Sequence, residues 1–548
     1  MILTRSPRLF SCTNGGELII GKKNIRIIDK AIAAVAPGIA VKRELNHRRL
    51  EFLNSGYSHY GANKTKKSVL GWQNRSRSPK EDINDNLQTL IERSRDLYMG
   101  GACIATGAIK TIRTNVVGGG LVLKPKIDPM FLKMSSDEAE EWERTAAREF
   151  SYWAESTNCD SFRMHNFYEL QQVAFFSQIL SGDTIILLPF KKRTGQIYDL
   201  SIQLIEADRV GTPFDRISEK NISAGVEVRN GEVTAYYIFD EHPGSMYFNG
   251  LNYKRVEAFG AKTGRRNVLH LMESERIDQT RGVSILAPVI ESLRNLGEYT
   301  NAELRAAVVS GLFTVFVRTE RPETGIGESM PFSEQIDGED DFSYELGPGA
   351  IVNLGLDEKI DVANPGRPNT SFDPFVSSIL RQIGAALELG YELTIKHFSA
   401  SYSASRAALL EAWKMFRMRR TWLANGFCQP IYEEFLTEAV AKGRIYAPGF
   451  FDDPIIRAAY CKAEWHGPSA GQIDPLKEVN AAEKRINIGV STGEREAAEL
   501  TGTDFSVNHR ELVREAKMRR ELGPVQAATP VPTDSTLDGG DDTNDMRP

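Results

Sequence analysis

At 548 residues, with 41% hydrophobic and 26% charged side chains, the chain can form several packing units and is too apolar for wholesale disorder. Its net charge of −6 is unevenly placed: residues 1–80 carry +12 and the remainder −18. An acidic body of this kind argues against a broad phosphate-gripping surface, which takes clustered Lys and Arg.

The basic first segment reads either as a solvated terminus or as a nucleic-acid or partner contact. No secretory signal is expected, because Asn14-Gly15-Gly16-Glu17 interrupts any apolar stretch. Asn84 to Asn115 reads as one long helix, with Leu87, Leu90, Ile91, Leu97, Ile104, Ala108 and Ile112 at helical spacing and Gly118 to Gly120 closing it. An extended segment or hairpin is predicted through Leu121 to Lys126. A helix over 136–156 is capped by Ser135 or Ser136, and another runs from Phe167 to Leu180, stopped by Ser181-Gly182-Asp183.

From Thr184 the period changes to two. Thr184–Phe190, Leu200–Ile205, Val226–Val228 and Thr234–Phe239 are predicted strands, with a turn at Arg229-Asn230-Gly231. Helical periodicity returns from Val283 to about Val309. The longest apolar run, Ala306 to Val317, holds 12 residues, too short to span a bilayer, so no membrane partner is expected. A strand is predicted at 312–317, an acidic Gly- and Pro-rich loop at 319–348, and a helix from Phe375 to Leu389.

Ser403 to Ala441 is the strongest helical stretch, with a kink or break expected at Gly426 and Pro430. Leu409, Trp413, Phe416, Leu423 and Phe427 share one side, with Arg417, Arg419 and Arg420 interleaved. Residues 474–522 hold two predicted helices, and Pro524–Pro548 has no core-forming pattern.

The chemical motifs are weak. Gly16–Lys23 approaches a phosphate-binding loop, but Lys23 stands where a Ser or Thr must hold magnesium, and no strand precedes it. Gly489-Val490-Ser491-Thr492-Gly493 matches a hydrolase nucleophile elbow, yet Ser491 with Glu494 reads as a helix capping box. The histidines are isolated. Carboxylate pairs such as Glu140-Glu141 and Asp340-Asp341 lie in solvated charge runs, and Asp538 to Asp545 lacks calcium-loop spacing. Five scattered cysteines (Cys12, Cys103, Cys159, Cys428, Cys461) form no CxxC pair and fit a reducing compartment. No catalytic residue, cofactor or metal is expected.

Several segments together carry a resemblance. They are Arg93-Ser94-Arg95-Asp96-Leu97, Asn115-Val116-Val117-Gly118 and Gln279-Thr280-Arg281-Gly282. Further along come Gly390-Tyr391-Glu392-Leu393, Tyr402-Ser403 with Arg406-Ala407 and Trp413, Ile473-Asp474-Pro475-Leu476-Lys477-Glu478-Val479, and Gly489 to Thr492. In this order, across roughly residues 30–520, the chain resembles the portal proteins of tailed bacteriophages, of the phage lambda type.

The resemblance implies an α+β, predominantly helical portal-type fold of wing, stem, clip and crown, assembling as a cyclic homo-oligomer of about twelve copies around a central channel. It implies a flexible basic arm over 1–29, a wing over 30–282, stem helices at 283–310 and 372–390 and a clip at 311–371. A tunnel loop would follow at 391–404, then a long kinked helix at 405–443, a crown at 444–522 and a disordered acidic tail at 523–548. The implied DNA-facing residues of the tunnel loop are Lys396, His397, Ser399, Ser401 and Tyr402. Related portals often carry an acidic residue where this chain has His397.

The implied partners are double-stranded DNA, the terminase large subunit, major capsid and scaffold proteins and head-tail connector proteins. The implied place is the portal vertex of a virion, assembled in the bacterial cytoplasm, with roles in packaging, ejection and procapsid nucleation. The competing expectation is a cytosolic DNA-binding or scaffolding protein that works through its basic arm.

Overall fold

The computed structural model describes residues 76–311, 315–319, 358–362, 371–398, 401–471 and 474–521, with scattered positions between 36 and 46. The expectations for the basic arm, Gly16–Lys23, most of 311–371, Ser399 and the tail 523–548 lie outside these residues. Contacts divide the chain into Met1–Ser76 and Arg77–Pro548, and every element named below belongs to the second unit.

The helix expected from Asn84 to Asn115 is broken. α1 (Pro79–Asn84) starts on a Ser78–Glu81 capping box. α2 (Leu87–Asp96) runs into a π turn, Leu97–Gly101, and α3 (Cys103–Val116) restarts after an extended Ala102. Adjacent Gly100 and Gly101 weaken the helix at this point, while the apolar residues on either side stay in phase and hide the break. β1 (Val122–Pro125) forms no hairpin; it pairs antiparallel with Ala463–His466, near the other end of the chain. α4 (Ser136–Ala154) opens on the predicted cap, Ser135 with Glu138. α5 (Phe167–Ser181) stops at Gly182, whose φ of 100° suits glycine.

Two antiparallel sheets follow. β2 (Asp183–Leu187) pairs with β3 (Gln203–Ile205). β4 (Ile222–Ser223), β5 (Val226–Arg229), β6 (Glu232–Phe239) and β7 (Tyr253–Glu257) form a sheet in sequence order, and β8 (Val268–Met272) returns to the free edge of β2. The predicted hairpin turn is present: Asn230 and Gly231 both take positive φ, 55° and 84°, as a tight two-residue turn requires.

α6 (Ile290–Gly311) begins later than the expected Val283, because Pro288 lies in a 3₁₀ turn, Ala287–Val289, that precedes it. β9 (Val315–Thr319) pairs antiparallel with β10 (Glu358–Val362), offset from the strand predicted at 312–317. α7 (Phe372–Ala386) and the short α8 (Tyr391–Ile395) precede the longest helical run.

That run comprises α9 (Tyr402–Leu423), a π turn over Ala424–Cys428 and α10 (Gln429–Ala441), roughly 60 Å in all. The disturbance falls where Gly426 and Pro430 place it. Proline lacks an N–H and crowds the carbonyl four residues back, and the wider turn absorbs both effects. Buried acids on α10 tie it to the strand region: Glu438 accepts from the Asp199 and Leu200 N–H groups at 2.6 and 2.9 Å, and Glu434 from Arg265 Nε at 2.6 Å.

α11 (Pro454–Tyr460) and β11 (Ala463–His466) complete the body. The C-terminal part holds α12 (Pro475–Asn487), α13 (Gly493–Leu500) and α14 (Phe505–Glu521), one helix more than expected. The α13 cap is Thr492, which accepts from Arg495 N–H; Ser491 is not the cap, and Glu494 instead pairs with Lys124, as does Asp504, at 2.5 and 2.7 Å. Within 475–521 only Ala482 and Glu496 are buried, so these helices have little core of their own.

The main core packs α3, α4, α5, α9 and α10 together. Phe150, Trp153 and Phe167 meet Phe427, Tyr432, Phe435 and Trp465 in edge, tilted and stacked contacts, with Phe150 and Phe435 centroids 5.2 Å apart.

Where the sheets, α5 and the approach to α6 meet, a buried ion pair replaces apolar packing. Arg281 Nε donates to Asp183 Oδ2 at 2.6 Å and Nη2 to Oδ1 at 3.1 Å; its other N–H groups bond the carbonyls of Ala207, Val210 and Ala224. Asp183 also accepts the Gly282 N–H at 2.9 Å and lies 3.2 Å from His270 Nε2. Burial alone would raise the Asp183 carboxyl, but the Arg281 charge and the His270 and Arg281 hydrogen bonds outweigh it and hold it well below the usual range. Gly182 and Gly282 pass so closely that a Cβ on Gly182 would lie 2.6 Å from the Gly282 carbonyl carbon, and one on Gly282 would strike the Gly182 carbonyl.

Removing one partner of such a pair leaves the other buried and uncompensated, so Asp183→Asn is expected to cost about 3–5 kcal/mol in urea unfolding. Because the folded Asp183 value is depressed, its contribution is full above the unfolded value and is lost as pH falls. The gap between the native chain and Asp183→Asn should therefore hold down to about pH 4 and narrow below it.

Candidate functional site

The segment from α7 to α9 carries the residues singled out as DNA-facing. The link after α7 is tightly built. A Cβ on Gly384 would lie 2.7 Å from the Leu389 carbonyl oxygen, Glu388 takes a φ of 57°, and Leu387 and Leu389 are buried. Ser377 Oγ lies 3.0 Å from Tyr391 Oη, and Arg381 covers the Tyr391 ring at 5.2 Å. Buried Thr394 donates to the Gly390 carbonyl at 3.1 Å. These contacts pin α8 against α7, and it also packs against α3 and α9.

Lys396 ends α8 in the left-handed region, φ 56°, and its N–H and that of His397 both reach the Glu392 carbonyl. Of the expected tunnel loop, 391–395 and 402–404 are thus helical, while 396–398 and 401, the described residues between them, are not. Lys396, His397 and Ser401 are exposed; Ser401 precedes α9, Tyr402 is its first residue, and Ser399 is not described. The structure therefore puts the described members on one short connection, and Lys396 has no ion-pair partner among the described residues.

Three arginines that looked alike in the sequence have different surroundings. Arg417 is exposed, facing Glu499 at 3.6 Å. Arg420 turns inward and donates to the carbonyls of Asn115, Val116 and Pro468 at 2.9, 3.1 and 2.8 Å while covering Trp413 at 5.3 Å. It closes the C-terminal end of α3, whose last carbonyls lack helical partners. Burial, with the nearby Arg417 charge, lowers Arg420 to about 10, so it stays charged at neutral pH. Arg419 is enclosed, 5% exposed.

One cluster departs from the expectation of isolated histidines. Glu206, Asp208 and His242 bring their donor atoms within 4.8 Å of one another. The donor set does not fit a cation. Arg95 already binds both carboxylates, at 2.8 and 2.7 Å. His242 Nδ1 accepts the Gly244 N–H at 2.9 Å, which leaves the proton on Nε2, the atom facing the carboxylates at 3.6 and 3.7 Å. Burial works against the Arg95 charge, but Asp208 outweighs it and raises Arg95. The cluster is an ion-pair network that fastens α2 to the strand region. Likewise Cys159, Cys428 and Cys461 are buried and free, and burial pushes Cys461 up to about 12, far from a reactive thiolate.

The profile described as "Phage portal protein, lambda family" matches residues 65–420, well over half of the chain. The chain belongs to that family. The portal protein of Escherichia phage N15 is 24% identical to this one over 493 residues, covering 86% of this chain and 91% of its relative. Portal protein B of Escherichia phage lambda is 24% identical over 490 residues, with the same coverages. Among solved structures, a chain from the virion of a native gene transfer agent particle aligns over 75% of this chain and 92% of its own, at 12% identity and a TM-score of 0.39. One from the neck of the native particle, computed with C12 symmetry, covers 74% and 93%, at 13% and 0.38.

This is a phage portal protein, a structural component of a virion. Its profile match includes Arg95, Asn115 to Gly118, Arg281 and Arg420, and the fold explains why these belong together. Arg95 and Arg281 hold helices to the strands, and Arg420 joins the long helix to Asn115 and Val116. The network around Asp183 escaped sequence reasoning, although two Gly–charge dipeptides, Gly182-Asp183 and Arg281-Gly282, were its visible signal. No described helix is long and apolar enough to cross a membrane.

Arg420→Met keeps much of the packing but strips three carbonyls of their donor. It is expected to lower the unfolding free energy by about 2–4 kcal/mol, whereas Lys396→Ser on the exposed link should change it by less than about 0.5 kcal/mol.

Proposed function

We propose that the chain closes head to tail into a ring of about twelve copies at one capsid vertex and acts by passing double-stranded DNA through its channel, without chemistry of its own. The observation that carries this reading is the lambda-family match across residues 65–420. In it, α6 and α7 are the stem helices. Their side-by-side packing through Tyr299 and Phe372, 5.6 Å apart, with the β9–β10 pair between them in sequence, supports a clip over 311–371 held out on a two-helix stem. Residues 30–282 would be the wing, 405–443 the long kinked helix and 444–522 the crown.

The 396–401 link is the DNA-facing element, with Lys396 and His397 its active pair beside Ser399, Ser401 and Tyr402. A predominantly acidic ring repels phosphate and lets the duplex slide. An exposed Lys without an ion-pair partner among the described residues, next to an exposed His, adds a weak grip on the phosphates. The terminase large subunit would dock during packaging and head-tail connector proteins afterwards, with major capsid and scaffold proteins around the ring during assembly in the bacterial cytoplasm.

Native mass spectrometry with negative-stain imaging tests the ring: a holed particle of about twelve times 61.1 kDa is expected without DNA. A small species whose salt-sensitive DNA binding disappears with residues 1–80 would overturn it in favour of an arm-based DNA-binding protein. For the link, Lys396→Glu with His397→Asp is expected to lower retention of packaged DNA; unchanged retention would remove the pair from the mechanism.

A further inference from the structure

Arg281 and Arg420 have acceptors for most of their donors; Arg419 does not. With 5% of its surface exposed, its Nη1 meets only the Met415 sulfur, at 3.3 Å, and its Nε stands 3.4 Å from Glu273 Oε2 without forming a hydrogen bond. A guanidinium has five N–H donors, and thioether sulfur is a weak acceptor. Enclosing such a cation with so few acceptors costs free energy unless something else supplies them. Burial, opposed by Arg419 and reinforced by Glu388 and Glu275, pushes the Glu273 carboxyl up.

Arg419 lines a groove of about 250 Å³ with Gln178, His270, Trp422 and Asn425. The adjoining surface of α9 is apolar. Leu410, Met418 and Trp422 are 53%, 38% and 40% exposed, at positions that share one side of a helix. A second groove, about 560 Å³, lies between the end of α7 and α9 and includes Leu389, Ala408, Ala412 and Met418. Met418 and Trp422, one helical turn apart, therefore connect the two grooves. Glu411 and Lys414 on this face already pair with each other at 2.6 Å.

We propose that this face of α9 is one half of the contact between neighbouring copies of the chain. The second copy covers Leu410, Met418 and Trp422 with apolar side chains and brings a carboxylate or carbonyl oxygen to Arg419. DNA is the poorer occupant: a phosphate could answer Arg419, but Leu410, Met418 and Trp422 are apolar, and Glu388 and Glu411 at the second groove would repel it. Another copy suits both halves of the surface, since beyond residue 80 the chain carries a net −18 and has carboxylates to spare. The inference rests on the ring reading, in which each copy presents two different faces to its neighbours.

The test uses the full chain with a photo-crosslinking amino acid at Met418 and, as control, at Met246, which is 98% exposed. Illumination is expected to give an adduct of two chains from position 418 alone, with peptides of this same sequence on both sides of the link. Equal yields at the two positions, or no chain-to-chain adduct from 418 in a sample containing rings, would overturn the proposal. Met418→Glu is an independent arm, because its partly exposed site should leave the thermal unfolding midpoint of the subunit unchanged. It is expected to cut the ring fraction about tenfold, the effect of losing one interface anchor. Undiminished rings would sink this interface and leave the ring reading standing; a native chain that forms no ring at all would overturn both.

Discussion

The carboxylate of Asp183, buried with Arg281, is the constraint on which the rest of the body depends. It stands at the first residue of β2, directly after the glycine that ends α5, and its partner stands just ahead of the segment that becomes α6. Arg281 in turn bonds the carbonyls of Ala207, Val210 and Ala224. One side-chain pair thus sets where a helix stops, where a sheet begins and where the chain leaves for α6. An apolar pair could fill the same volume, but it could not satisfy three carbonyls that face inward. The near-contact of Gly182 with Gly282 follows from the same geometry, since the two backbones must approach for the carboxylate to take the Gly282 N–H.

Polar anchoring of backbone recurs across the molecule. Arg420 holds the end of α3, Glu438 receives the N–H groups of Asp199 and Leu200, and Lys124 gathers Glu494 and Asp504 of the C-terminal part. Each joins segments far apart in sequence to a central helix or strand. Such bonds fix direction as well as distance. That suits a structural component of a virion, whose parts must keep their relative orientation.

Local signals in the sequence were legible and non-local ones were not. Ser135 with Glu138, Gly182 and Asn230-Gly231 each act within a few residues, and each did as predicted. Gly426 with Pro430 likewise marked the disturbed turn of the long helix. The break at Gly100-Gly101 was hidden because apolar spacing persists across it, and the pairing of β1 with β11 was invisible because nothing near Val122 specifies a partner beyond Lys462. Thr492 rather than Ser491 caps α13, a shift of one residue that spacing cannot resolve. The 396–401 link was reached through resemblance; its residue types alone, one Lys and one His in a polar loop, would not have distinguished it. Arg417, Arg419 and Arg420 looked equivalent in sequence, and only the packing separates them.

The π turn at Ala424–Cys428 has a consequence for phase. A turn that closes on the fifth residue instead of the fourth holds one residue more, so every side chain after it is rotated by about 100° relative to an uninterrupted α-helix. Upstream, α9 points Trp413 and Phe416 into the core; downstream, α10 points Glu434 at Arg265 and Glu438 at Asp199. The extra residue sets the angle between these two faces. Deleting one residue from the turn would leave a straighter helix of nearly the same length whose two halves keep these facings, whereas straightening the turn with every residue kept would swing one half round by about 100°.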